Sequence, residues 1–92
     1  MKSILQTERE CYITGSTGEL HRHHIYHGTG SRQVSEDNGF WVYLTPELHN
    51  MSKYGVHFND DFDLYLKRKC QREYEKTHSR DDFIRLIGRS YL

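Results

Sequence analysis

The run Phe40-Trp41-Val42-Tyr43-Leu44, stopped at once by Thr45-Pro46, constrains this chain more than any other feature. Aromatic and β-branched side chains suit a pleated, half-buried surface, so the run predicts a strand. Proline at a first helical position loses only an N–H that would have no helical partner, and threonine is a good N-cap. Thr45-Pro46 therefore predicts that the strand feeds directly into a helix. That helix carries Glu47, His49 and Asn50 and is expected to stop near Gly55.

One other segment reads well as a strand, Leu20 to Tyr26, and it follows a Gly-, Ser- and Thr-rich turn or knuckle over residues 10–19. Between the strands, the polar stretch from Gly28 to Gly39 is bounded by glycines and is expected to be a functional loop of about a dozen residues. A further helix is expected from Asn59, capped by its side chain and favoured by Asp60, Asp61 and Asp63 in its first turns. Phe62, Tyr65, Leu66, Cys70 and Tyr74 form its core-facing stripe, with Lys67, Arg68, Lys69 and Arg72 toward its C-terminal half. Ser79-Arg80-Asp81-Asp82 reads as a capping box with Asp for Glu, opening a last helix through Phe83, Ile84, Leu86 and Ile87 to Gly88.

Ninety-two residues are enough for one domain and too few for two. Aliphatic residues are sparse and mean hydropathy is −0.90, whereas seven Tyr, four Phe and one Trp are present, so aromatic packing must carry much of the stability. Thirteen basic and thirteen acidic residues cancel, which argues neither for a nucleic-acid partner nor against a local basic patch; Arg22, Arg32, Lys53, Lys67, Arg68 and Lys69 are candidate phosphate contacts, or the solvated charged face that an amphipathic helix has anyway. Cys11 and Cys70 are too few for a disulfide framework and read as buried, reduced thiols. Residues 1–8 lack the apolar run of a signal peptide, and no stretch approaches the roughly 18 apolar residues of a membrane span, so a soluble cytoplasmic protein is expected.

Histidine is where composition turns to chemistry. Four of the seven histidines fall between residues 21 and 27, and imidazole is both the commonest metal ligand and the usual base near neutral pH. Neighbours in a strand point to opposite sides, so His23 and His24 cannot both aim at one ion; one can bind a metal while the other handles water. The plainer alternative is a polar strand and helix surface whose histidines coincide by chance.

The ordered set Leu20, His21, His23, His24, Ile25, then His49-Asn50-Met51-Ser52, then Gly55-Val56-His57-Phe58-Asn59 resembles the HNH, or ββα-metal (His-Me finger), nuclease family, in particular its small phage-encoded members. The likeness spans roughly residues 9–66. It implies an α+β fold, a single domain over 1–92 with a ββα-metal core at about 9–58 and a C-terminal helical extension over 59–92. By position, the resemblance makes His24 the general base that takes a proton from the attacking water, and His23 and His49 the ligands of a divalent cation. Mg²⁺ is the default expectation for two imidazoles with open positions, and nitrogen donors also suit Mn²⁺, Ni²⁺ or Zn²⁺.

His21, Asn50, His57 and Arg22 are candidate supports or phosphate contacts. His21 points with His23 and is equally a third ligand or solvated surface; His57 reads better as a core or supporting histidine, and His27 as exposed loop. Asn50 orients the histidine-bearing strand or caps its helix. Many relatives brace this fold with zinc on two knuckles, here reading Cys11-Tyr12-Ile13-Thr14 and Thr45-Pro46-Glu47-Leu48; Cys11 alone remains, so no structural zinc is expected. The function implied is metal-dependent hydrolysis of DNA phosphodiester bonds, as an endonuclease or nickase acting in a host cell, with DNA as partner and a homodimer or protein partner plausible. The alternative is a catalytically weak HNH-like module that binds nucleic acid or a protein, such as a regulator or inhibitor of a host nuclease.

Overall fold

The computed structural model describes residues 1–92 and is a small α+β fold. Strands β1 (His21–His24) and β2 (Trp41–Leu44) pair antiparallel, with His21 opposite Leu44, Arg22 opposite Tyr43, His23 opposite Val42 and His24 opposite Trp41. Directly paired residues share a face of the sheet. One face therefore carries His21 and His23 with Leu44 and Val42; the other carries Arg22 and His24 with Tyr43 and Trp41. No helix is long and apolar enough to cross a membrane.

Residues 28–39 are not the loop expected from sequence. Helix α1 (Ser31–Asn38) lies between the two strands. It shows no helical stripe because its one buried residue is polar: the Ser35 hydroxyl accepts from the Tyr26 backbone N–H at 3.1 Å and donates to the Tyr26 carbonyl at 2.6 Å, satisfying a backbone that leaves the sheet there. Its start at Gly30 has no side-chain cap to announce it. Its end does carry a signal, since Gly39 adopts the left-handed conformation (φ 73°) that glycine accepts without strain. A β-carbon on Gly39 would also meet the Lys2 carbonyl oxygen, so the N-terminal segment lies against this turn.

The helix after Pro46 is shorter than expected. α2 is Pro46–His49, a single turn whose Thr45 N-cap uses no side-chain hydrogen bond. The chain then folds back through residues 50–55 to a 3₁₀ turn at Val56–Phe58 and to α3 (Asp60–Tyr74). Burial of Val56 in the core draws the chain back, and Gly55 allows it: a β-carbon there would stand 2.7 Å from the His49 carbonyl oxygen. α3 is capped by the Asn59 side chain as expected, and α4 (Arg80–Ile87) by the Ser79–Asp82 box, ending at left-handed Gly88. Leu66 and Cys70 of the α3 stripe are buried and Phe62 and Tyr74 partly so, but Tyr65 is exposed. The buried strip of α3 is centred between Leu66, Cys70 and Gln71, which leaves Tyr65 on its far side.

Aromatic rings build the centre of the core. Tyr26 meets Phe40 and Phe83 edge to face at 5.5 and 5.4 Å between centroids, and Phe40 meets Tyr74 at 5.4 Å. Both cysteines are buried and free, and burial pushes the Cys70 thiol up to about 12. The four knuckle positions are joined by other means. Burial raises the Cys11 thiol, but hydrogen bonds from the Thr14 hydroxyl and from the Thr14, Thr45 and Ile13 backbones outweigh it and lower its pKa, while Leu48 packs against the core that contains Cys11.

Candidate metal centre

Three segments bring histidines to the inner face of β1. His23 projects from the strand, His49 closes α2, and His57 arrives from the 3₁₀ turn because Gly55 lets the chain pass close to the His49 carbonyl. One nitrogen from each of His23, His49 and His57 lies within 4.8 Å of the others, close enough to hold a metal ion. The rings meet edge to face, with centroids 5.4 Å apart for His23 and His49, 5.6 Å for His23 and His57, and 4.6 Å for His49 and His57.

Burial sets the charge state of His23 and His49. His23 is only 2% exposed, and burial first, then the neighbouring histidines 49, 57, 27 and 24, push its pKa down to about 3. His49 is pushed down to about 4 by burial and then by His57, His21 and His24. Both are neutral at pH 7 and hold a lone pair. His23 Nε2 is the one buried side-chain nitrogen or oxygen without a hydrogen-bond partner in the molecule. An unpartnered buried imidazole nitrogen is costly on its own, and a ligand bound there would relieve that cost. Three imidazoles within ligand distance of one another, two of them neutral and one carrying an unpartnered buried nitrogen, fit a divalent cation.

The outer face of β1 is built differently. His24 Nε2 lies 2.9 Å from Glu36 Oε2 of α1, and Arg22 contacts the other carboxylate oxygen at 2.7 Å while its guanidinium lies 3.8 Å from the centre of the Trp41 ring. The hydrogen bond from His24 leads in holding the Glu36 carboxyl below its ordinary range, with the Arg22 charge adding to it. An ionised carboxylate only accepts, so His24 carries a proton on Nε2, and in its neutral form the lone pair lies on Nδ1. Trp41 and Phe40 are buried, Trp41 beneath the N-terminal segment, where its indole N–H donates to the Met1 carbonyl.

The fold thus brings together His23, His49 and His57 and places His24 on the opposite face of the same strand. His57 is not a core histidine, one expectation for it: it is exposed and belongs to the group. Its place depends on the fold-back at Gly55, which residue spacing does not encode. His21 lies beside the group, Nδ1 to Nδ1 at 3.0 Å from His49, without being one of the three. Asn50 is exposed beyond α2 and makes no side-chain hydrogen bond to β1. Arg22 is engaged by Glu36 and Trp41. Among the expected basic patch, Lys67 pairs with Asp63 at 2.7 Å and Arg68 donates to the Tyr91 carbonyl. His27 is exposed, 3.5 Å from Asp63. Glu36 is the residue that sequence reasoning misses, because it sits on a helix whose sequence reads as a loop; Gly39 as a helix terminator is the available signal. Comparison of the chain with protein-family models, curated proteins and solved structures gives no match.

Proposed function

We propose that this protein is a metal-dependent endonuclease or nickase of the HNH, ββα-metal type, hydrolysing DNA phosphodiester bonds. The observation that carries the reading is the pairing of two unlike histidines on one strand: buried, unpartnered His23 within the three-histidine group, and His24 held through Nε2 by the Glu36 carboxylate. His23, His49 and His57 would hold the cation, and three nitrogen donors suit Mn²⁺, Ni²⁺ or Zn²⁺ better than Mg²⁺. When bound, the cation supplies charge stabilisation to the phosphate and to the departing 3′-oxygen. His24 Nδ1 takes a proton from the water whose oxygen bonds to phosphorus as the P–O3′ bond breaks, and Glu36 steadies the imidazolium that results. Each centre cuts one strand, which makes nicking the expected first product.

Supercoiled plasmid incubated with the protein and Mn²⁺, Zn²⁺ or Mg²⁺ tests this. Conversion to the open-circular form is expected with the unaltered protein and not with His24→Ala. Cation-dependent binding of DNA without any conversion would instead favour a binding module, and nicking undiminished in His24→Ala would remove the assigned base.

A further inference from the structure

His49 is faced at both ring nitrogens by another imidazole. Its Nδ1 lies 3.0 Å from His21 Nδ1, and its Nε2 lies 3.0 Å from His57 Nε2. A neutral imidazole has one N–H and one lone pair, so each of these contacts is satisfied by a single proton and His49 can supply only one of them. If His49 holds its proton on Nε2, that proton points into the three-histidine group and fills the space between His49 and His57. If it holds the proton on Nδ1, the Nε2 lone pair faces the group, provided that an acceptor waits at Nδ1.

We infer that His21 is that acceptor: a positioning residue whose Nδ1 takes the Nδ1–H of His49 and so holds His49 in the tautomer that turns Nε2 toward His57 and His23. The inference rests on the cation reading proposed above and deepens it by dividing four histidines into three ligands and one support. It also fixes the proton of His21, which must lie on Nε2. That atom is 3.9 Å from the exposed Glu19 carboxylate, so the order of the chain is Glu19, His21, His49, cation site. The partner at the far nitrogen of a ligand histidine sets which nitrogen is free and how the ring is turned. Sequence alone leaves His21 as ligand, support or surface; the 3.0 Å contact on the side of His49 away from His57 selects support.

Two measurements at one neutral pH test it. Long-range ¹⁵N–¹H spectra of the metal-free protein are expected to show His49 protonated at Nδ1 with a bare Nε2, to keep that form on addition of Zn²⁺, and to lose it in His21→Ala. Zn²⁺ titration against a chromophoric chelator is expected to weaken about 10- to 100-fold in His21→Ala. His21→Asn, whose Oδ1 stands near the lost Nδ1 and accepts a hydrogen bond, should recover most of that affinity; a packing role alone would not predict this rescue. Should His21→Ala not fold, the spectrum of the unaltered protein and the Asn variant still decide. His49 protonated at Nε2 in a protein that binds Zn²⁺, or Zn²⁺ bound equally well by His21→Ala, overturns the role of His21 alone. Failure of the unaltered protein to bind Zn²⁺ overturns the cation reading and this inference with it.

Discussion

The two faces of β1 take the same residue type to opposite ends. His23 and His24 are adjacent, yet one is 2% exposed with an unpartnered nitrogen while the other is half-buried with a carboxylate at 2.9 Å. Strand alternation separates the faces, and what covers each face sets the chemistry. On the inner face, α2 and the 3₁₀ turn add imidazoles and exclude water, so positive charge is opposed and lone pairs are retained. On the outer face, α1 adds Glu36, which gives an imidazolium a partner. One side is suited to receive a cation from outside, the other to gain and release a proton.

The most damaging test of this division compares the two neighbours directly. His24→Ala is expected to lower plasmid nicking about 10²- to 10⁴-fold, the usual contribution of a general base, while leaving Zn²⁺ affinity within a few-fold of the unaltered protein. His23→Ala should abolish both. Equal loss of metal affinity in the two variants would mean that the strand does not divide ligand from base.

Acid should reveal the inner face in the metal-free protein. The folded pKa of His23, about 3, lies below the ordinary 6.5, so the unfolded chain binds more protons between those values and stability rises with pH. The contribution is complete above pH 6.5 and is lost as pH falls toward 3. Urea unfolding at pH 7 and pH 4 should differ by roughly 3 kcal/mol from His23 alone, at about 1.4 kcal/mol per unit. His23→Leu should reduce the measured difference by that amount and leave the part due to His49, and a flat profile in the unaltered protein would contradict the burial of the rings.

The sheet, α2's start and both C-terminal helices are legible in the sequence because their signals are local: the aromatic and β-branched run at 40–44, Pro46 after Thr45, and the Asn59 and Ser79 caps. The two-residue period of a strand is equally local, and it is enough to send His23 and His24 to opposite faces. α1 is not legible, since its inward residue is Ser35, and a helix that buries a hydroxyl against backbone leaves no apolar period. With α1 goes Glu36. His57 is visible as a residue but not as a member of the group, because its arrival depends on a fold-back stabilised by Val56 burial, a tertiary effect.

That fold-back can be broken at one atom. Gly55→Ala places a β-carbon 2.7 Å from the His49 carbonyl oxygen and 3.1 Å from that of Glu47, both backbone atoms that cannot swing aside. The expected cost is about 1–3 kcal/mol of stability, typical of overpacking. Zn²⁺ affinity should fall with it as His57 leaves the group, while the His24–Glu36 contact on the other face persists in NMR spectra. Loss of stability with unchanged metal affinity would show that His57 does not need the turn.

The smallest effect on stability should come from Glu36→Gln, and its smallness is informative. Glu36 is about a third exposed, so its pairs with His24 and Arg22 are screened by water and contribute under about 1 kcal/mol. The changes expected on the inner face are all larger in stability. Catalysis should respond in the reverse sense, because a neutral amide neither steadies an imidazolium nor requires the proton of His24 to sit on Nε2. A glutamine can meet that nitrogen with its oxygen or with its NH₂, and the second choice turns the Nδ1 lone pair into an N–H. Nicking is therefore expected to fall about tenfold or more with Zn²⁺ affinity unchanged, consistent with the contribution of general-base catalysis. If Glu36→Gln destabilises the protein more than Gly55→Ala yet leaves nicking intact, the outer face is a structural clamp and the base lies elsewhere.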